Sequence, residues 1–120
     1  MINVSKSAET LQDGIANMMA GAKNDYKQNS LMNKNRELSS YCKEKLANFE
    51  SQTTVREGKK YIKVIYDRSV FAFIVKEDFK HFRRGDVLKP AGWAAPALNK
   101  PRGNVLEGNY PIQWTGPLYL

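Results

Sequence analysis

Tyr61-Ile-Lys-Val-Ile-Tyr66, Asp67-Arg68-Ser69 and Val70-Phe-Ala-Phe-Ile-Val75 form the run that decides the fold. Its two flanks are rich in β-branched and aromatic residues, which pack well on a pleated surface. Asp67, Arg68 and Ser69 supply turn chemistry between them, so the run predicts a β-hairpin. The second strand is apolar on both faces. Such a strand lies in the middle of a sheet or turns one face to another subunit.

Toward the N-terminus the pattern is helical, and composition changes near residue 53. Ser5 or Ser7 offers a cap, with Glu9 in the first turn. Leu11, Ile15, Met18 and Met19 recur at helical spacing. Gly14 and Gly21 each weaken that helix by about 1 kcal/mol relative to Ala, so it needs something to pack on. Lys23 to Asn29 is polar and reads as a connection, and Ser30 is a second cap. Leu31, Leu38, Cys42, Leu46 and Phe49 then share one face of a helix from Leu31 to Glu50. A short polar link between two helices predicts an antiparallel pair. Cys42 is the single cysteine, so no disulfide can form within the chain, and core packing is its expected role.

Toward the C-terminus, Lys76 to Arg84 is charged, with Phe79 and Phe82 as anchors. Arg84-Gly85-Asp86 reads as a turn and Val87-Leu88-Lys89 as a short strand. Val105-Leu106 and Ile112-Gln113-Trp114 read as short strands around a turn at Gly108-Asn109-Tyr110-Pro111. The expected fold class is α+β, an N-terminal antiparallel helix pair followed by a small antiparallel β-sheet with a long ordered loop. A length of 120 residues fits a single domain, 1–120. Within it, 1–52 is expected to be helical and to serve oligomerisation, and 60–120 to be β-rich and to bind ligand.

The long loop is Lys89-Pro-Ala-Gly-Trp-Ala-Ala-Pro-Ala-Leu-Asn-Lys-Pro-Arg-Gly-Asn104. Connections of this length inside a compact domain are usually functional or disordered, and its prolines argue for order. Small residues let backbone approach a ligand closely. Trp93 offers a flat ring for a base to stack on, worth about 1–3 kcal/mol. Arg102 offers a planar cation to phosphate. Asn99 and Asn104 can read donor and acceptor edges. The other reading is that Trp93 is core and Arg102 caps the loop through backbone carbonyls. The residues alone leave both open.

Catalytic chemistry finds little support. His81 is the only histidine and lies among Lys80, Arg83 and Arg84. No zinc set and no Walker or dinucleotide glycine motif occurs. The expectation is a protein that is not an enzyme and carries neither metal nor cofactor. A net charge of +7 favours anionic partners, but the charge is spread evenly. No apolar run nears the roughly 18 residues of a membrane span. Met1 to Thr10 lacks a signal-peptide core. No membrane partner and a cytoplasmic location are therefore expected.

The run Gly85-Asp-Val-Leu-Lys-Pro-Ala-Gly-Trp-Ala-Ala-Pro-Ala, followed by Arg102-Gly-Asn-Val, resembles small proteins found mostly in phage genomes. With helices first and an antiparallel sheet after, the chain is similar to the first type of Thoeris anti-defence sponge. By motif the resemblance covers roughly residues 60–106. Pro101 stands where that pattern has Ala, and Gly92 where it has Ser. The family sequesters cyclic ADP-ribose-type signals made by bacterial TIR-domain defence enzymes, and some members bind cyclic oligonucleotides.

The resemblance implies immune evasion by binding such a signal without degrading it, in the host cytoplasm. It implies a homo-oligomer, from a dimer up to a hexamer, built through the helices with ligand sites at subunit contacts. Trp93 and Arg102 carry over best, Phe71 or Phe73 would add stacking, and Arg68 or Lys89 further charge. The competing readings are a nucleic-acid-binding accessory protein, with aromatics on a sheet stacking bases, and a protein-inhibiting partner.

Overall fold

The segment from Lys23 to Asn29 is helical, which overturns the expected helix pair. The computed structural model describes residues 2–33 and 40–118, with the side chains of 30–33, Ser40 and Cys42 excepted. Helix α1 runs unbroken over Leu11–Asn33. Its cap is Thr10 rather than Ser5 or Ser7, because the Asp13 amide donates to Thr10 Oγ1 at 3.1 Å. The buried face continues Leu11, Ile15, Met18, Met19, Ala22, Asp25, Tyr26. Asp25 disguised that continuity. It is a carboxylate on the apolar stripe, and its Oδ2 accepts the Trp114 amide at 3.0 Å. A buried polar group is tolerated when it is bonded in this way.

Ser30 therefore lies inside α1, not at the start of a second helix. Helix α2 is the eight residues Ser40–Ala47, much shorter than the expected Leu31 to Glu50. The side chains of Leu31 and Cys42, and the whole of Leu38, lie outside the described residues. Leu46 and Phe49, from the same expected face, pack into the core.

Strand β1, Ile2–Val4, precedes α1 and pairs antiparallel with β6, Tyr110–Ile112. Residues 1–52 are thus not purely helical, and part of the expected turn at Gly108 to Pro111 is strand. Helix α1 lies on this two-stranded sheet, and Gly14 and Gly21 allow the approach. A Cβ at Gly14 would stand 2.7 Å from both Val105 Cβ and the Val105 carbonyl oxygen. One at Gly21 would stand 2.8 Å from Val4 Cγ2 and 3.2 Å from Ile112 Cγ2. A spacing of two helical turns keeps both glycines on one stripe. The propensity each forfeits is offset by close packing.

The second sheet is antiparallel, in the order β2 (Thr53–Glu57), β3 (Tyr61–Tyr66), β4 (Ser69–Val75), β5 (Val87–Leu88). The β3–β4 hairpin turns at Asp67, which takes a left-handed φ of 58°. Its register shifts between Val64 and Ile65. Strand β4 is central, with a core on each face. Phe71, Ala72 and Ile74 join α1 and the β1–β6 pair. Phe73 and Val75 join Phe82 and Leu88. Two cores account for the unbroken apolar run of β4.

The glycine stripe makes a prediction of inverted sign. In an exposed helix, Gly→Ala stabilises by about 1 kcal/mol. Gly14→Ala is expected instead to destabilise by about 1–3 kcal/mol through overpacking against Val105, seen as a Tm lower by several degrees. Gly92→Ala, where an added Cβ meets nothing within 4 Å, is expected to leave Tm unchanged.

Candidate ligand-binding site

The long loop leaves the sheet after β5, and its two ends are tied to each other. The Val87 amide donates to the Gly103 carbonyl at 2.8 Å and the Arg102 amide to the Val87 carbonyl at 2.8 Å. Beneath this ladder Asp86 and Asn104 form a buried polar pair. Asn104 Nδ2 donates to Asp86 Oδ1 and to the Arg84 carbonyl, each at 3.0 Å. Its Oδ1 accepts the amides of Leu106 at 2.9 Å and Glu107 at 3.2 Å. Asp86 Oδ2 accepts the Arg83 amide at 2.9 Å. Gly85 (φ 94°) is required here, because a Cβ would stand 2.7 Å from Asn104 Oδ1.

Above the stem the loop folds back on itself. The Ala97 amide donates to the Lys89 carbonyl at 2.8 Å, Pro90 bridges Pro96, and the Ala91 amide donates to the Ala95 carbonyl at 3.0 Å. Trp93 stands at the apex of this tight return and is 51% exposed. It is not a core residue. Lys63 Nζ lies 4.4 Å from the centre of its ring and 5.8 Å from that of Phe73. Lys63, Phe73 and Leu88 are register partners across β3, β4 and β5 and so share one face. On that face Tyr61 and Phe79 are half-buried, their rings 5.9 Å apart, with Lys60 Nζ 5.5 Å from Phe79. The result is an open, solvent-facing aromatic and basic surface.

Lys89 and Arg102 gather on the other side of the β5 edge. Lys89 Nζ donates to the Pro117 carbonyl and Arg102 Nε to the Leu118 carbonyl, each at 2.9 Å. Arg102 Nη1 also donates to Asn99 Oδ1 and, at 2.9 Å, to the Lys100 carbonyl. Burial, and then the neighbouring Arg102 charge, holds the Lys89 amine below its ordinary range. Burial lowers Arg102 as well. Two like charges on adjacent carbonyls make an electropositive spot.

The residues expected to form one site thus divide. Trp93 meets Lys63, which sequence reasoning missed. Its signal was the register that sets Lys63 opposite Phe73. Phe73 itself is buried, 2% exposed, and serves as the floor of this face rather than as a free ring. Lys89, Arg102 and Asn99 form the second group. Asn104 has both donors and its acceptor committed within the stem. Arg68 is exposed at the β3–β4 tip, about 16 Å along the strand from Phe73 at 3.3 Å per residue.

The sequence matches a family description over residues 2–120. The chain belongs to DUF7717, a family of unknown function. No curated protein and no solved structure matches it. Among the described residues of this DUF7717 member no helix is long and apolar enough to cross a membrane. Among its described residues no group of three or more His, Cys, Asp or Glu could hold a metal ion.

Asn104→Ala would orphan Asp86 and two backbone amides at once. It is expected to lower stability by about 3 kcal/mol, measured by urea denaturation. Asn99→Ala, at an exposed position, is expected to cost less than about 1 kcal/mol in the same assay.

Proposed function

We propose that this chain binds and sequesters a small phosphate-bearing nucleotide, without transforming it, on the surface around Trp93. The observation that carries the reading is the exposed indole, held at the apex of a doubly tied loop with the Lys63 amine 4.4 Å from its ring centre. A nucleobase stacks on such a ring for about 1–3 kcal/mol. Lys63 supplies charge for a phosphate beside the ring, while Lys89 and Arg102, across the β5 edge, add positive potential with their donors turned to the Pro117 and Leu118 carbonyls. These are groups that hold an anion, and binding alone suffices to lower the concentration of a signal. The resemblance to the Thoeris sponge narrows the ligand to the cyclic ADP-ribose class, with cyclic oligonucleotides next.

A second reading has an observation of its own. Tyr61, Phe79 and Trp93 with Lys60 and Lys63 also suit single-stranded nucleic acid, which stacks bases on aromatics and tracks cations with its backbone.

A thermal-shift panel at physiological salt separates these readings. A tight ligand in excess stabilises by RT ln(1 + [L]/Kd), about 2.7 kcal/mol at a hundredfold excess over Kd. Cyclic ADP-ribose isomers or cyclic oligonucleotides are expected to raise Tm by several degrees, and DNA and RNA are not. Trp93→Ala and Lys63→Ala are each expected to weaken the binding at least tenfold with the parent Tm retained. A shift with DNA or RNA alone, falling steeply with salt, would select the second reading. No shift with any of them would refute both.

A further inference from the structure

The four-stranded sheet has two edges, and they are treated differently. The β5 edge is closed by the chain itself, through the Val87–Gly103 and Arg102–Val87 bonds. The β2 edge is open: after Thr53, all its residues are exposed, and Val55 is 49% exposed. Natural edge strands are blunted by short length, charged side chains, proline, bulges or a covering segment. Thr53-Thr-Val-Arg-Glu57 has no proline, carries charge only at its end, in Arg56 and Glu57, and keeps an unbroken register with β3.

The bonding parity of this edge is fixed by its ends. The Gly58 amide donates to the Tyr61 carbonyl and the Asp67 amide to the Gln52 carbonyl, each at 2.8 Å. Hydrogen-bonded pairs alternate along an antiparallel ladder. Even-numbered residues of β2 therefore bond inward to β3, while Thr53, Val55 and Glu57 turn their backbone groups outward. The Thr53 amide is taken by the Glu50 carbonyl at 3.1 Å. The Thr53 carbonyl and both groups of Val55 and Glu57 face the edge.

We infer that the β2 edge docks a second copy of this chain, antiparallel, about a twofold axis through Val55. Parity allows only registers in which outward residues meet outward residues. Charge and the length of pairing then select among them: the slip that sets Val55 against Thr53 would leave Arg56 and Glu57 opposite Gln52 and Ser51, outside the strand. A slip of one pair that sets Val55 against Glu57 would place Arg56 directly opposite Arg56, and like charges opposite each other are destabilising. The register centred on Val55 sets Arg56 opposite Thr54 and Glu57 opposite Thr53, and pairs all of β2. Val55 lies opposite Val64 on the face toward α1. The two Val55 side chains would meet beside a mixed groove of about 630 Å³, lined by Leu11, Ile15 and Ile62 together with Gln12, Glu57 and Arg84. One short strand pair is a small contact beside the roughly 1,200–2,000 Å² of a standard interface, so a weak, concentration-dependent dimer is expected. It uses the edge farthest from the loop and does not depend on the nucleotide reading.

Analytical ultracentrifugation from about 1 to 300 µM, the range of a micromolar Kd, tests the inference. The mass is expected to rise from one chain to two. Val55→Pro removes only an outward amide and leaves the inner ladder whole. Val55→Lys places like charges at the axis. Both are expected to sediment as single chains throughout. Amide exchange gives a residue-level readout: Val55 and Glu57 should slow at high concentration in the parent and stay fast in Val55→Lys, while Thr54 and Arg56 are slow in both. If Val55→Pro fails to fold, Val55→Lys decides. A parent that remains one chain at the highest concentration, or a dimer that survives in folded Val55→Lys, overturns the inference.

Discussion

The bond between Asp86 and Asn104 holds together what the rest of the C-terminal half needs. It joins the chain before β5 to the chain after the loop, and each side chain also fixes backbone amides that have no other ladder. A half-satisfied pair at this depth would be worse than an apolar one, so both residues, and the left-handed Gly85 beneath them, stand or fall together. With the stem closed, the segment from Lys89 to Pro101 is displayed as a fixed return rather than a free coil. Trp93 is then exposed on a tied return, which in the proposed reading spares a ligand part of the cost of ordering it.

The α1 interface applies the same logic to packing. Gly14 and Gly21 look like faults when α1 is read alone. Against Val105, Val4 and Ile112 they are the positions where the helix comes closest to its support. The β1–β6 pair joins the first and last described strands, and α1 lies across it, so the helical and β-rich halves are one packed unit. The four-stranded sheet contributes the other wall through Val64, Ala72 and Ile74.

The hairpin was legible because Tyr61 to Val75 carries strong β propensity around a plain turn. The helix pair was misread because Asp25 scores as a surface residue, and only the distant Trp114 amide makes it an interior one. Strand β1 is three residues long and finds its partner about a hundred residues away, beyond the reach of local pattern. Strand β2 left a faint trace in Thr53-Thr-Val55, but it is exposed on both faces and shows no alternation. For the site, the loop and Trp93 were legible from composition. The commitment of Asn104 to the stem and the separation of Arg68 were not, because both follow from where the sheet places them. Lys63 emerged only from register.

In the proposed function Trp93 is the contact point for a nucleotide. The two indole N–H signals of Trp93 and Trp114 in a nitrogen-15 NMR spectrum test it most directly. Trp114 packs edge-on to Tyr26 with centroids 5.1 Å apart, remote in role from the loop, and serves as an internal reference. On titration with cyclic ADP-ribose isomers and cyclic dinucleotides, the Trp93 signal is expected to shift saturably while that of Trp114 stays in place. A Trp93 signal that does not move while the ligand binds, or a Trp114 signal that moves in its stead, would contradict that reading.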